Sequence, residues 1–306
     1  MFDVVGIGLN ATDTVIKVPR FPAYGGKVPF HGEFVSTGGQ VASAIVACAR
    51  LGLRSKYIGA VGDDERGALQ LESLRAENID IEHVRIRAGC GTQTAFIVID
   101  ESTGERTVFW SRPDCLKLTP EEIEPDQILG ARLLHLDGHD TAAMEHAARI
   151  AHENGIPVTC DVDTVYQGFE RVLPYVDYLI SSSEFPARRT GIEDPFTALE
   201  TIRDRFGMKF AGMTLGANGA LALTEEGFVY SPAFLVDCVD TTGAGDVFHG
   251  AFCYSVLQRM EIAEALDFAN AMAALNCTAA GARGRIASLE EARTLMAADC
   301  RRVKAA

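Results

Sequence analysis

The chain has 306 residues, of which 47% are hydrophobic and 23% charged, and its formal net charge is −14. Because nucleic-acid phosphates are bound mainly by clustered Lys and Arg, this acidic balance argues against a nucleic-acid partner. No apolar run is long enough to span a bilayer, and the first residues lack the pattern of a signal peptide. We therefore expect no membrane partner and a cytoplasmic location.

Eight cysteines are scattered along the sequence, and most have apolar neighbours. Disulfide frameworks are typical of short secreted chains with regular cysteine spacings. The cysteine pattern therefore predicts buried free thiols in a reducing compartment.

The hydrophobic pattern predicts strands and helices in alternation along the chain. Strands are predicted at 2–8, 57–61, 132–136, 157–160, 178–180 and 209–215, and helices at 38–51, 65–77, 141–153, 195–206, 244–258, 261–279 and 288–298. Such alternation implies right-handed βαβ units and a mostly parallel sheet with helices on both faces. We predict one α/β domain of three layers over residues 1–306.

Two stretches interrupt this alternation. Residues 14–36 are rich in proline and glycine, and residues 82–112 hold β-branched and aromatic runs with a turn at 100–105. The turn predicts a hairpin, and its long apolar strands need cover. We predict that approximately 14–36 and 91–112 form a small antiparallel β lid, the alternative being two ordinary surface excursions.

The most informative segment is Asp240-Thr241-Thr242-Gly243-Ala244-Gly245-Asp246, which runs directly into an apolar helical pattern. The small residues at 243–245 allow backbone N–H groups to bind an anion, and a helix N-terminus adds partial positive charge. Asp246 lies in the first helical turn, where it can accept a proton. Phosphoryl transfer needs positioning, charge stabilisation and such a base. The segment therefore predicts a phosphotransferase site, the alternative being a simple capping aspartate.

The 240–246 segment and Gly38-Gly39 resemble the C-terminal and N-terminal motifs of the PfkB, or ribokinase-like, carbohydrate kinases. The resemblance covers nearly the whole chain. It implies a ribokinase-like three-layer core with a lid, ATP and Mg²⁺ as cofactors, and a sugar, best guessed as a ketose or furanose, as substrate. We also expect a homodimer through the lid, and a monovalent cation such as K⁺ bound by carbonyls near Asp240 and the 280–288 loop.

The resemblance also implies roles for individual residues. Asp246 would be the base, and the amides of Gly243, Ala244 and Gly245 would stabilise the transferring phosphoryl group. Substrate contacts would come from Asp13, Gly38, Gly39, Ser43, Asp137 and Arg106, and nucleotide contacts from Ser181, Glu184, Thr214, Gly216, Gly219 and Asn270. Glu184 would organise Mg²⁺ through water. The segment Gly104-Glu105-Arg106-Thr107 is similar to that of the family's ketohexokinases, in which the arginine reaches the phosphate. Ser43 and Ser181 stand where the family pattern usually has asparagine.

Three other functions fit parts of the sequence. Gly6 and Gly8 match a dinucleotide fingerprint, which would suggest an NAD-dependent oxidoreductase, but the β-branched residues that follow them do not predict the required helix. A nucleoside kinase of the same family is a second alternative. A catalytically silent binding protein on the same fold is a third, which the presence of Asp246 disfavours.

Overall fold

The computed structural model describes residues 1–103 and 106–301. In these residues the strands are β1 (Val4–Ile7), β2 (Ala11–Val18), β3 (His31–Gly38), β4 (Ser55–Ile58), β5 (Ala60–Gly62), β6 (Arg85–Arg87), β7 (Thr94–Asp100), β8 (Arg106–Ser111), β9 (Leu133–Leu136), β10 (Val158–Val162), β11 (Tyr178–Ser182), β12 (Phe210–Thr214), β13 (Ala220–Thr224) and β14 (Gly227–Ser231). The helices of eight or more residues are α1 (Gln40–Arg50), α2 (Glu65–Ala76), α3 (Thr141–Glu153), α5 (Pro195–Phe206), α6 (Ala244–Leu257), α7 (Ile262–Asn276) and α8 (Leu289–Ala298), and a shorter helix, α4, covers Glu184–Thr190.

The core is an eight-stranded sheet in the order β14-β13-β12-β11-β10-β9-β1-β4. In this sheet the β4–β1, β1–β9, β9–β10, β10–β11 and β11–β12 pairs are parallel, and only the β12–β13 and β13–β14 pairs are antiparallel. The predicted mostly parallel α/β sheet is therefore confirmed. The carboxyl ends of its parallel strands form one edge, where ligands bind in open α/β sheets.

Helices cover both faces of this sheet, as predicted. Helices α1, α6, α7 and α8 pack together on one face, and α3 and α5 lie on the other. The α1–α6 contact is close, since the Cys48 thiol donates to the carbonyl oxygen of Gly250 at 3.3 Å. Phe248 and Phe252 of α6 are fully buried, and burying a side chain of this size contributes roughly 1.5–3 kcal/mol. This packing fixes the start of α6 at the ligand-binding edge.

Local sequence sets the bounds of α5, which agree with the prediction. The Asp194 carboxylate accepts a hydrogen bond from the Thr197 amide at 2.8 Å, and Pro195 occupies the first turn. Both features are typical of a helix N-terminus, because they satisfy or remove backbone donors that lack intrahelical partners.

A second sheet has four strands in the order β3-β2-β7-β8 and contains the residues predicted as a lid. The β2–β3 and β7–β8 pairs are antiparallel, but β2 and β7 pair in parallel, so the expectation of a wholly antiparallel sheet was wrong. Val15, Ala95, Ile97 and Ile99 form its buried face. Arg85–Arg87, which we grouped with the same excursion, instead pairs with β5 in a separate two-stranded sheet. Gly104 and Glu105 lie outside the described residues.

The cysteine prediction needs correction. Cys90 and Cys115 are joined by a disulfide, and Cys238 and Cys300 are exposed free thiols. Cys48, Cys160 and Cys253 are buried and free, as predicted. Among the described residues, no helix is both long and apolar enough to cross a membrane.

Candidate active site

The glycine turn before α6 is held in a conformation that requires glycine. Gly243 has φ 73°, in the left-handed region, and a Cβ there would lie 2.1 Å from the carbonyl oxygen of Ala282. An alanine would therefore meet both an unfavourable φ and a backbone clash. The turn leads directly into α6 at Ala244, so that the first amides of the helix point away from the helix body, toward the adjoining cavity.

A cavity of about 420 Å³ opens beside this turn. The predicted residues that line it are Arg106, Thr214, Gly216, Gly219, Ala244, Gly245 and Asn270. The sequence did not single out the other residues of its lining: Ala217, Ala233, Phe234, Leu235, Val236, Cys238, Thr241, Phe248, Ala273, Ala274 and Cys277. One end is thus formed by small residues and the α6 N-terminus, and the other by apolar side chains. This combination suits a ligand with an anionic part and a flat apolar part.

Arg106 and Asn270, which both line the cavity, are each held by hydrogen bonds. Arg106 Nη1 donates to Thr241 Oγ1, which joins strand β8 of the second sheet to the glycine turn. Asn270 Nδ2 donates to Ser231 O at 3.0 Å and to Ser231 Oγ at 2.7 Å. Arg106, predicted as a substrate contact, therefore lines the cavity beside the glycine turn, and a guanidinium can bind phosphate oxygens.

Asp246 is half-buried in the first turn of α6. Burial and the negative charge of Asp161 raise the pKa of Asp246 to about 7, whereas Arg283 and Arg106 act in the opposite direction. A carboxylate with a pKa near neutrality suits a general base, because it is ionised at the working pH and still takes up a proton readily. This position matches the role predicted for Asp246.

A buried carboxylate–imidazole pair lies near this carboxylate. Asp161 Oδ1, near the end of β10, is 3.2 Å from Nε2 of His249. His249 follows Asp246 by three residues on α6, so the two side chains share a helix face. Although burial alone raises it, the pKa of Asp161 is held below its usual value by His249. No sequence motif marks Asp161 or His249, because the fold alone brings these two residues together.

Asp13 and Gly38 form a second part of the site, on strands β2 and β3 of the second sheet. Asp13 is buried on β2, and a Cβ at Gly38 would lie only 2.6 Å from its Oδ2. Burial raises the pKa of Asp13 to about 6, Arg283 and Arg66 oppose the rise, and Asp240 adds to it. The structure thus brings Asp13 and Gly38 together as predicted, with a carboxylate available for hydroxyl groups.

Arg283, which the sequence analysis did not single out, holds this corner together. Its Nη2 donates to the carbonyl oxygen of Gly38 at 3.0 Å, and its Nε to Ser43 Oγ at 3.2 Å. Its Nη1 donates to the hydroxyl oxygens of Thr37 at 3.2 Å and Ser73 at 3.1 Å. Burial lowers its pKa to about 10, which leaves the guanidinium charged at neutral pH. Ser43, predicted to contact sugar, therefore has Arg283 as its partner.

Gly39 and Asp137 determine how the backbone packs around the site. A Cβ at Gly39, whose φ is 96°, would lie 2.3 Å from the Cα of Asn10, so glycine is required for α1 to approach the loop after β1. Asp137 is fully buried and accepts the amide hydrogens of Leu9 at 2.6 Å and His139 at 3.0 Å. Both oxygens of Asp137 thus accept backbone hydrogen bonds inside the protein, and its contact with sugar stays a prediction.

Ser181 and Glu184 lie beside the cavity rather than in its lining. Ser181 is buried, and its hydroxyl donates to Gly212 O at 3.4 Å. Glu184 begins α4, is exposed, and forms an ion pair with Arg188 one turn later. Because Ser182 pairs with the cavity residue Thr214, Glu184 still stands at the same edge of the sheet.

Asp240 joins the glycine turn to the loop that carries Arg283. Its Oδ1 accepts the Thr242 amide at 2.8 Å and the Thr242 hydroxyl at 2.7 Å, and its Oδ2 accepts the Gly281 amide at 2.8 Å. These bonds explain why the motif has a carboxylate six residues before Asp246.

The Gly6–Gly8 turn lacks the context of a dinucleotide site, because β1 is followed by strand β2 and not by a helix. The oxidoreductase alternative is therefore unsupported.

Comparison with known proteins gives a consistent result. The sequence model for "pfkB family carbohydrate kinase" matches residues 1–288. An ATP-dependent ribose-1-phosphate kinase of Halopiger xanaduensis is 31% identical over 287 residues, covering 92% of this chain and 94% of that protein. A ribokinase of Haemophilus influenzae is 27% identical over 292 residues, covering 93% and 95%.

Solved structures give the same result for the fold. A ribokinase of Thermotoga maritima superposes with a TM-score of 0.83 at 24% identity, covering 97% of this chain and 100% of that chain. At that level of identity the likeness concerns the fold, and it agrees with the core sheet and second sheet described above.

Proposed function

This chain belongs to the pfkB family of carbohydrate kinases and is an ATP-dependent sugar kinase; on that basis we propose that Asp246 is its catalytic base and that its acceptor is a furanose or a ketose. The observation that carries the proposal is the half-buried Asp246, with a pKa of about 7, in the first turn of a helix that begins at the cavity. The reaction moves the terminal phosphoryl group of ATP to a substrate hydroxyl, and Asp246 accepts the hydroxyl proton.

The proposed nucleotide site is the cavity beside α6. Its apolar end, near Phe234 and Leu235, has room for the base of ATP, and the amides at Gly243, Ala244 and Gly245 face the phosphates. These amides and the helix dipole stabilise the charge on the transferring group without a basic patch. Thr214, Gly216, Gly219 and Asn270 line this cavity, which supports the nucleotide contacts proposed for them.

The proposed sugar site lies between Asp13, Gly38 and Asp246. The Asp13 carboxylate accepts hydrogen bonds from sugar hydroxyls, and Gly38 allows close approach to the backbone. Arg283 holds Gly38 and Ser43 in place from behind through the hydrogen bonds described above. The second sheet covers this site as a lid and excludes water, which would otherwise accept the phosphoryl group.

Mg²⁺ is expected to arrive with the nucleotide. It favours oxygen ligands, keeps several waters, and is held mainly by substrate phosphates. The exposed Glu184 carboxylate, at the same edge of the sheet as Thr214, fits such water-mediated binding. The ion would neutralise phosphate charge, while the residues described above position the two substrates.

A K⁺ site near Asp240 is also proposed. The Asp240 carboxylate brings the 240–242 backbone against the loop at Gly281, so that carbonyl oxygens of both segments can converge on one monovalent ion. We expect the turnover number to be higher in K⁺ than in tetramethylammonium at equal ionic strength. Equal turnover numbers in K⁺ and in tetramethylammonium would contradict the proposed K⁺ site.

The second sheet is the proposed dimer interface. Phe96, Val108, Phe109 and Trp110 are exposed by 44–66%, and β8 is an edge strand. Exposed apolar edge strands tend to be covered by another chain. Trp110→Glu should shift the protein from dimer to monomer in sedimentation velocity, whereas Leu129→Glu, an exposed control elsewhere, should not. A monomeric wild-type protein would contradict this proposal.

The base assignment is tested by Asp246→Asn. General-base loss typically costs about 10²–10⁴ in rate, so we expect a decrease in the turnover number of that size with ATP binding retained. Asp126→Asn, an exposed substitution outside the site, is the matched control. Turnover of the Asp246 variant within a few-fold of wild type would exclude the assignment.

The acceptor is identified by ADP release over a panel of substrates. Ketoses, pentoses, nucleosides and deoxy-keto acids test the sugar proposal against the nucleoside alternative. Ribose 1-phosphate belongs in the panel because the Halopiger relative is named for it. Turnover with a nucleoside at a higher kcat/KM than with any sugar would make the chain a nucleoside kinase of the same family.

A further inference from the structure

Two free cysteines line the proposed nucleotide cavity, and the transfer reaction gives neither a role. Cys238 lies in the segment between β14 and α6 and is exposed. Cys277 is the residue at which α7 ends, and it is half-buried. Between them and the glycine turn stands Thr241, the partner of Arg106. Both thiols thus share the cavity lining with Thr241 and Gly245 of the glycine turn.

The backbone directly after Cys238 is hydrogen-bonded to Cys277. The amide of Val239 donates to the carbonyl oxygen of Cys277 at 2.7 Å, and the amide of Asp240 donates to the same oxygen at 3.2 Å. Standard backbone dimensions then place the Cα atoms of Cys238 and Cys277 within about 7.5 Å of each other. Disulfides usually join Cα atoms roughly 4.4–6.8 Å apart, so a bond between them needs at most a small backbone movement.

The two thiols also interact directly and differ in access to solvent. Burial raises the pKa of the Cys277 thiol to about 12, and the neighbouring Cys238 thiol adds to the rise, as does Asp240, while Arg106 opposes it. Thiolates, not thiols, attack disulfides, and access to solvent decides which cysteine meets a reagent first. Cys238 is therefore the first to react, and Cys277 is its close neighbour.

The other free cysteines provide a contrast. Cys48, Cys160 and Cys253 are buried among the core helices and strands. Cys300 is exposed but lies outside the cavity lining. Cys300 thus has the accessibility of Cys238 without its position, which makes it a matched control.

We propose that Cys238 and Cys277 form a reversible thiol-modification site inside the nucleotide cavity, at which small organic disulfides compete with ATP. The inference rests on the proposed nucleotide site. The Cys238 thiolate attacks a disulfide RSSR, forms Cys238–S–S–R and releases one thiolate, which takes up a proton as RSH. The R group then occupies space that ATP requires.

Cys277 completes the reaction. Its sulfur, deprotonated, attacks the sulfur of Cys238, the S–S bond of the mixed disulfide breaks, and the released RS⁻ takes up a proton and leaves as a second RSH. Two protein thiols have lost two electrons and two protons, and RSSR has become two RSH. The product is a Cys238–Cys277 disulfide, which any excess of small thiol returns to the reduced pair.

The test uses oxidised glutathione on the full-length protein, followed by intact-mass and peptide mass spectrometry. Wild type should lose two hydrogens, located to Cys238 and Cys277. Cys277→Ser should instead retain one glutathionyl group on Cys238, and Cys238→Ser should show neither change. Saturation with a non-hydrolysable ATP analogue should slow the reaction at Cys238 by at least about tenfold, since only the unoccupied cavity admits the reagent. The rate at Cys300 should not change.

Affinity provides an independent measurement. Glutathionylated Cys277→Ser should bind the ATP analogue at least about tenfold more weakly than the untreated variant, and dithiothreitol should restore binding. Modification of Cys238 at the same rate with and without the analogue would overturn the proposal, as would identical products from wild type and Cys277→Ser. If untreated protein releases ADP normally, such a result refutes this inference alone. If it neither binds ATP nor releases ADP, the proposed function fails and this competition with it.

Discussion

The nucleotide side of the cleft and the proposed sugar side are built differently. The first is formed largely by backbone and small residues, among them Gly216, Gly219, Ala244 and Gly245. The second is formed by charged side chains in close balance, with Asp13 and Asp246 set against Arg283. A backbone-built wall depends on the absence of side-chain bulk, whereas a charge-built wall depends on which neighbours are ionised. Substitutions in the two walls should therefore change different kinetic quantities.

The largest effect is expected at the glycine turn, from Gly243→Ala. The new Cβ would lie 2.1 Å from the Ala282 carbonyl oxygen, and the alanine would have to adopt a left-handed φ. The backbone must therefore shift, and the amides of the turn would no longer point at the phosphoryl group. Losing one donor to a developing oxyanion costs about 10²–10³ in turnover. We expect a decrease of at least that size, measured by ADP release, together with a lower melting temperature.

Gly245→Ala is the matched control for this prediction. A Cβ at Gly245 meets no protein atom within 4 Å, so we expect an unchanged melting temperature and a higher KM for ATP only. If Gly243→Ala and Gly245→Ala change the turnover number and the melting temperature equally, the backbone geometry at Gly243 does not determine the activity of the nucleotide side.

The next largest effect is expected from Arg283→Met. The variant leaves Gly38 O and three hydroxyl oxygens without their donor, and each unsatisfied buried group costs about 1–3 kcal/mol. It also removes a positive charge that lowers the pKa of Asp246. We expect the KM for sugar to rise by about tenfold or more. In pH profiles of kcat/KM, activity should fall on acidification at a higher pH than in wild type, because the pKa of Asp246 is higher in the variant.

Arg283→Lys separates the two contributions. It keeps the charge but loses the branched geometry, so the pH profile should remain near wild type while the sugar KM stays high. Arg293→Met, on the exposed surface of α8, is the matched control. An unaltered pH profile in Arg283→Met would show that the balance of charges does not set the protonation of Asp246.

The smallest effect is expected from Asp161→Asn, and it is visible mainly in the pH dependence. Activity needs the ionised base, so kcat/KM should fall in wild type as the pH drops through about 7. The negative charge of Asp161 raises the pKa of Asp246, so removing it should move this fall to lower pH. The maximal rate should change only a few-fold. A shift to higher pH would contradict the arrangement described here.

Much of the fold follows from local sequence, and the reasons are visible in particular elements. The predicted bounds of α3 and α5 agree with the structure, since apolar periodicity marks both helices and Asp194 caps α5. Strands β13 and β14 were not predicted, since Ala220–Ser231 lacks a strong alternating pattern. The parallel pairing of β2 with β7 could not be foreseen, because it joins strands separated by about 80 residues.

The candidate site also has a part that the sequence could predict and a part that it could not. The glycine turn and Asp246 form one contiguous segment, so their chemistry could be predicted from spacing alone. Arg283 reaches Ser43 across 240 residues, and His249 reaches Asp161 from another element. No local pattern reports such contacts. The full burial of Asp137 could not be foreseen for a related reason, since the end of a strand gives no information on which way an adjacent carboxylate turns.

The Cys90–Cys115 bond encloses strands β7 and β8 within a 25-residue span. In the unfolded chain this covalent ring keeps the two strands near each other, which is worth about 3 kcal/mol of chain entropy. A protease cut in the turn at 101–103 would consequently yield two fragments that migrate together on a gel until reductant is added. The hairpin that contributes Arg106 to the cavity would thus stay attached to the protein at both of its ends even after its connecting peptide is broken.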